Sequence, residues 1–124
     1  MINLKNLIKS FSHAWRGVKT LFKTEQSFRL QIFAAVLAVI FLGFLPVSFF
    51  EVVIILLLIV LVLVLEMINS IFERLVDTFK PRIHPVVGEI KDIMAAAVLL
   101  SSFFAAVIGV VIFLPHLLNK FGLI

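Results

Sequence analysis

The chain has 124 residues, 63% of them apolar and 15% charged, a formal charge of +4 and a mean hydropathy of +1.25, so one domain is the most it can form and a soluble core cannot absorb its apolar surface. It has no cysteine, which excludes a disulfide framework and a thiolate metal site and leaves oxygen ligands for any metal. The modest basic excess suits an anionic lipid surface, and nucleic-acid binding is not expected: the fourteen phenylalanines fall mostly within apolar runs, where they contact lipid and core rather than stack on bases.

Residues 1–24 pattern as an amphipathic helix. Leu4, Leu7, Ile8, Phe11, Trp15, Val18 and Phe22 recur at three- and four-residue spacing, while Lys5, Lys9, Arg16, Lys19 and Lys23 fall on one flank. Such a helix lies in the lipid interface, with Trp15 as an anchor; a surface helix packed on a soluble partner has the same pattern. No cleavable signal is expected, because the first apolar run begins only near Leu30.

Three membrane spans follow, at residues 28–46, 50–79 and 89–115. The first is apolar over residues 30–45 and stops at Gly43 and Pro46, with its helix beginning before Arg29. The second holds fourteen consecutive apolar residues, 52–65, and its helical pattern continues without a breaker to Phe79, so its polar end projects past the bilayer core. The segment Lys80-Pro81-Arg82-Ile83-His84-Pro85 breaks the chain, since a proline biases the residue before it away from helix. The third span ends at Pro115, and its alanines and Gly109 are expected to allow close helix contact. The fold class is therefore an all-α membrane protein: one interfacial helix and three spans.

Six basic residues precede the apolar stretch of the first span and four lie from Arg74 to Lys91, whereas the connection from Pro46 to Glu51 has none. The positive-inside rule then places the N-terminus and the second connection in the cytoplasm.

On the second span Glu66, Asn69, Glu73 and Asp77 stand at offsets 0, 3, 7 and 11, one stripe roughly 80° wide at about 100° per residue. Met67, Ile68, Ile71, Phe72, Leu75 and Val76 fill the other half. Carboxylates aligned where a hydrophobic helix leaves the bilayer repel one another unless a cation or aqueous pocket intervenes. Mg²⁺ favours few carboxylates together with phosphate oxygens, so the stripe suits a metal-nucleotide complex. Read alone, Glu73, Arg74 and Asp77 are also the solvated end of an amphipathic helix. Glu66, directly after fourteen apolar residues, is not explained that way. Lys91-Asp92 near the start of the third span, and Glu25 with Arg29 as an i,i+4 pair before the first, read locally as surface charges that share the cytoplasmic edge. His13, His84 and His116 are too scattered for a shared metal site, and Glu51, on the opposite side, reads as structural.

These residues carry a resemblance to the prokaryotic diacylglycerol kinase and undecaprenol kinase family of integral-membrane lipid kinases. The run from Glu66 to Asp77, E-M-I-N-S-I-F-E-R-L-V-D, is similar to the family signature E-x-x-N-[ST]-A-[IL]-E-x-x-[VI]-D. His84-Pro85 followed by residues 91–99, K-D-I-M-A-A-A-V-L, resembles its second block, and Trp15-Arg16-Gly17 and Glu25-Gln26-Ser27-Phe28-Arg29 match near the N-terminus. The resemblance spans about residues 8 to 112. It implies a homotrimeric helical bundle in the bacterial cell membrane, with active sites shared between chains at the cytoplasmic face, Mg-ATP as phosphoryl donor and undecaprenol or diacylglycerol as acceptor. By the same resemblance Glu66 is the catalytic base and Glu25 and Glu73 bind Mg²⁺. Asn69, Glu73, Asp77, Lys91 and Asp92 line the nucleotide pocket, and Glu66, Arg29 and Gln31 meet the lipid.

The chain departs from the pattern at Ile71-Phe72, which replaces Ala-Ile and adds bulk to the apolar face. Gln31 stands where Gram-negative diacylglycerol kinases have an acidic residue, and Pro85 follows His84; both lean toward undecaprenol. No G-x-x-x-x-G-K-[ST] loop or protein-kinase motif set is present, so the nucleotide site is of another kind. A different class of reading is a non-enzymatic transporter or assembly subunit. A transport path, however, places carboxylates at mid-membrane, and every candidate here sits at one edge.

Overall fold

The computed structural model describes residues 1–79 and 85–124, in four helices: α1, Leu4–Thr24; α2, Gln26–Phe44; α3, Phe49–Phe79; and α4, Pro85–Lys120. The expected break from Lys80 to His84, and His84 itself, lie outside the described residues.

Each helix end has a local cause. Asn3 caps α1, its side-chain oxygen accepting from the Lys5 amide at 3.0 Å. Glu25 closes α1 and opens α2 at once: its extended backbone (φ −112°, ψ 112°) turns the chain, and its amide still donates to the Leu21 carbonyl. Leu45, held extended by Pro46, ends α2. α3 opens on a reciprocal capping box in which the Ser48 amide donates to Glu51 Oε1 at 3.0 Å and the Glu51 amide to Ser48 Oγ at 3.2 Å. That pair satisfies two otherwise orphaned donors and accounts for Glu51 as a structural residue.

The last helix differs from the expected 89–115 at both ends. Pro85 takes its first position, where a missing N–H costs nothing. At the other end the helix runs on through Pro115 to Lys120. Proline removes one ladder bond, but interactions beyond it hold the following turn in place. His116 Nε2 lies 3.0 and 3.2 Å from the two Glu51 carboxylate oxygens, and Lys120 donates to the Phe44 carbonyl at 3.1 Å from above that residue's ring. Termination comes instead at Gly122, whose φ of 69° suits glycine, with Leu123 donating to Leu118 and Gly122 to Asn119 in a Schellman arrangement.

α2, α3 and α4 are each long and apolar enough to cross a membrane. At about 1.5 Å per residue the 19 residues of α2 match a hydrocarbon core of about 30 Å, whereas the 31 of α3 overrun it by roughly a third of their length. α3 packs against both α2 and α4, and α1 touches mainly α2. Only seven apolar side chains are buried among the described residues, four of them, Leu45, Ile55, Ile112 and Phe113, in one cluster at the Glu51 end. Most large hydrophobic side chains point outward, the arrangement expected when lipid rather than water is the solvent. Gly109 makes no close helix contact within the chain: with Ala34, Ala35, Ala38, Ala105 and Ala106 it lines an apolar cavity of about 360 Å³ between α2, α3 and α4.

Phe113 fills the buried cluster and meets Phe41 edge to face, with ring centroids 5.4 Å apart. Phe113→Ala is expected to lower the unfolding free energy by about 2–4 kcal/mol through lost contacts and the void left behind, measured by denaturant titration in mixed micelles.

Candidate active site

Ile55, Ile59, Val62, Glu66 and Ser70 follow at spacings of three and four, so the inward stripe of α3 begins apolar and turns polar at Glu66. About 1.5 Å per residue from Phe49 puts Glu66 some 26 Å along the helix, close to the length of a hydrocarbon core of about 30 Å, with Glu73 and Asp77 further along. The carboxylate is therefore carried inward, at 4% exposure, while Ile71, Phe72 and Leu75 on the opposite half face out. The bulk added by Ile71 and Phe72 lies away from the acidic stripe.

Three elements bring their polar groups to this point. Ser27, in the first turn of α2, presents its hydroxyl to Glu66, and the carboxylates of Glu25 and Glu73 are its charged neighbours. Glu66 Oε2 is buried without a hydrogen-bond partner, as is Asn69 Oδ1. The Asn69 amide nitrogen donates instead to Glu73 Oε1 at 3.2 Å. Two orphaned acceptors side by side lack donors, which is the complement of a hydroxyl or amino group on a ligand. Phe28, at 2% exposure the most deeply buried of the described residues, anchors the start of α2.

Glu25, Glu66, Asn69 and Glu73 are thus brought together. Asp77 and Lys91 stand apart from them as a mutual pair at 3.6 Å, linking the end of α3 to the start of α4; Asp77 is 69% exposed and Asp92 is fully at the surface. Gln31 donates to Ser102 Oγ at 3.1 Å on the wall of the apolar cavity, which Val62 and Leu63 also line one turn before Glu66. Among the described residues no group of three or more His, Cys, Asp or Glu side chains is arranged to hold a metal; Glu25 and Glu73 are two oxygen donors beside an open polar edge.

The expected Glu25–Arg29 pair does not form. The guanidinium of Arg29 turns back to donate to the carbonyls of Phe22 and Lys23, at 2.9 and 3.1 Å, because the last carbonyls of α1 are acceptors without intrahelical donors. Glu25 is met by Arg74, at 3.5 Å. The parts played by Arg74, Ser27 and Thr24 were not foreseen from spacing. The one signal available was their clustering inside the two motif blocks around Glu25 and Glu66.

A family model described as prokaryotic diacylglycerol kinase matches residues 12–113. The chain is 39% identical over 115 residues to an undecaprenol kinase of Bacillus subtilis, covering 92% of this chain and 93% of that one. It is 35% identical to a diacylglycerol kinase of Synechocystis, over 92% of this chain and 66% of that one. With a diacylglycerol kinase of Escherichia coli it shares 29% identity over 89% and 90% of the two chains.

A buried carboxylate flanked by two others, with one oxygen unpartnered, is a cost to the fold. Glu66→Gln keeps the shape and removes the charge, and is expected to raise stability by about 1 kcal/mol, read as a higher melting temperature in detergent.

Proposed function

The chain belongs to the prokaryotic diacylglycerol kinase family of membrane lipid kinases, and on that premise we propose that it transfers the γ-phosphate of Mg-ATP to the hydroxyl of undecaprenol. The observation that carries the reading is Glu66: a carboxylate buried at the rim of the bilayer with an oxygen free to accept one more hydrogen bond. A lipid hydroxyl arriving from the apolar side donates to that oxygen. As the hydroxyl oxygen attacks the γ-phosphorus, its proton passes to Glu66, the bond to the bridging oxygen breaks and ADP leaves. Asn69, its amide nitrogen donating to Glu73, keeps a free acceptor for a donor group of the nucleotide.

Glu25 and Glu73 would hold Mg²⁺, which when bound supplies charge neutralisation on the phosphates; two carboxylates with phosphate oxygens completing the shell is the usual arrangement for this ion. Lys91, half-buried beside Asp77, is placed to meet the nucleotide further out, with Asp77 and Asp92 bordering the same edge. Arg29 serves the lipid indirectly, by shaping the junction of α1 and α2. The reading includes a homotrimer with sites shared between chains, which is what the resemblance to the family implies. It places α1 and the Glu66 end at the cytoplasmic face of a bacterial cell membrane, supported by the basic residues gathered there.

Undecaprenol is favoured over diacylglycerol by the 39% identity, across nearly the whole of both chains, with an undecaprenol kinase. Gln31 adds to this. An amide bonded to Ser102 replaces an acidic group that could grip a second polar position on the acceptor, and the cavity beside it is lined mainly by apolar side chains suited to a tail.

Transfer of labelled phosphate from Mg-ATP by the purified protein in mixed micelles, with undecaprenol and diacylglycerol offered separately, tests the reading. Undecaprenol is expected to be labelled preferentially, and Glu66→Gln to lower kcat by about 10²- to 10⁴-fold while remaining folded. Preferential labelling of diacylglycerol reassigns the acceptor; full activity in Glu66→Gln removes the base.

A further inference from the structure

Glu25 is the single residue between two helices, and nothing in its own backbone fixes where its carboxylate points. Its φ and ψ are extended, its side chain makes no capping hydrogen bond to α2, and Arg29, four residues on, is committed to the α1 carbonyls. Among the described residues, the side chain that reaches the Glu25 carboxylate is Arg74 of α3. One of its terminal nitrogens donates to Thr24 Oγ1 at 2.9 Å and lies 3.5 Å from Glu25 Oε1. Arg74 directly follows Glu73 and sits about 80° around α3 from Glu66, on the solvent flank of the acidic stripe.

The carboxylates of Glu25 and Glu73 both come within electrostatic reach of Glu66 here. At an interfacial dielectric such a group spreads apart unless positive charge is supplied. Arg74 supplies it from the side. Its contact with Glu25 is long and about half exposed, and so is weak enough to leave the carboxylate free to bind a cation on its other oxygen.

We propose that Arg74 is a positioning residue for divalent-cation binding: by holding the Glu25 carboxylate against α3 it keeps Glu25 within reach of an ion shared with Glu73. This rests on the reading of Glu25 and Glu73 as the Mg²⁺ ligands. It also makes α1 a part of the site, since the residue closing that helix is the one that Arg74 fastens. An arginine that merely tethered α1 to α3 would act through Thr24, and the two roles separate experimentally.

Mn²⁺ binding is measured by electron paramagnetic resonance on the full-length protein in mixed micelles with a non-hydrolysable ATP analogue, for the parent, Arg74→Gln, Arg74→Lys, Thr24→Val and Glu25→Gln. Arg74→Gln is expected to weaken Mn²⁺ about three- to fivefold and to raise the half-saturating Mg²⁺ for phosphate transfer by the same factor, with kcat at saturating Mg²⁺ changed less than about twofold. Arg74→Lys should recover most of the affinity, which also guards against a Gln variant that fails to fold. Thr24→Val should bind like the parent. Weakened binding in Glu25→Gln with parental binding in Arg74→Gln overturns the role of Arg74 and leaves the metal reading standing. Parental binding in Glu25→Gln overturns both. A Thr24→Val variant as weak as Arg74→Gln makes Arg74 a tether and overturns the positioning role.

Discussion

A carboxylate carried into the apolar face of a membrane helix must be surrounded by groups that make it tolerable, and in this chain the surroundings of Glu66 organise one end of the molecule. The first turn of α2 brings Ser27 to it, the junction residue Glu25 approaches from the side, and α3 itself supplies Asn69, Ser70 and Glu73 along the same stripe. Phe28 locks the start of α2. Even so, one oxygen of Glu66 is left without a partner, and a fold selected for stability alone has no reason to keep it so. Local costs of this kind are what functional sites commonly carry.

The two ends of the helical bundle are built on opposite principles. Far from Glu66, the Ser48–Glu51 capping box, the His116–Glu51 contact and the Lys120–Phe44 interaction fasten α2, α3 and α4 together above the buried cluster of Leu45, Ile55, Ile112 and Phe113. These polar groups find partners within the chain, and the apolar ones interdigitate. Toward Glu66 the inward stripe turns polar and leaves Glu66 Oε2 and Asn69 Oδ1 without partners, and between the two ends α2, α3 and α4 enclose a cavity lined by alanines and Gly109 together with Ile55 and Phe113 of the cluster.

Hydropathy along the chain, read with a 3.6-residue period, was enough to determine an all-helical membrane protein with three spans and a basic amphipathic helix, because lipid forces every backbone donor and acceptor to be satisfied within its own helix. The alignment of Glu66, Asn69 and Glu73 followed from spacing alone, since residues at those offsets share a face whatever surrounds the helix. Helix ends depending on tertiary contacts were not readable. Pro115 looked like a stop, and only the interactions of His116 and Lys120 with the α2–α3 connection carry the helix past it. Likewise Glu25 and Arg29 were correctly spaced for a pair, yet the bare carbonyls of α1 took the arginine and α3 met the glutamate with Arg74, 49 positions away. Spacing can register which side chains lie on one helix face, because that is a property of the helix. Which of several competing partners a side chain takes is decided by the free energy of all of them at once, and those partners meet only when the helices pack.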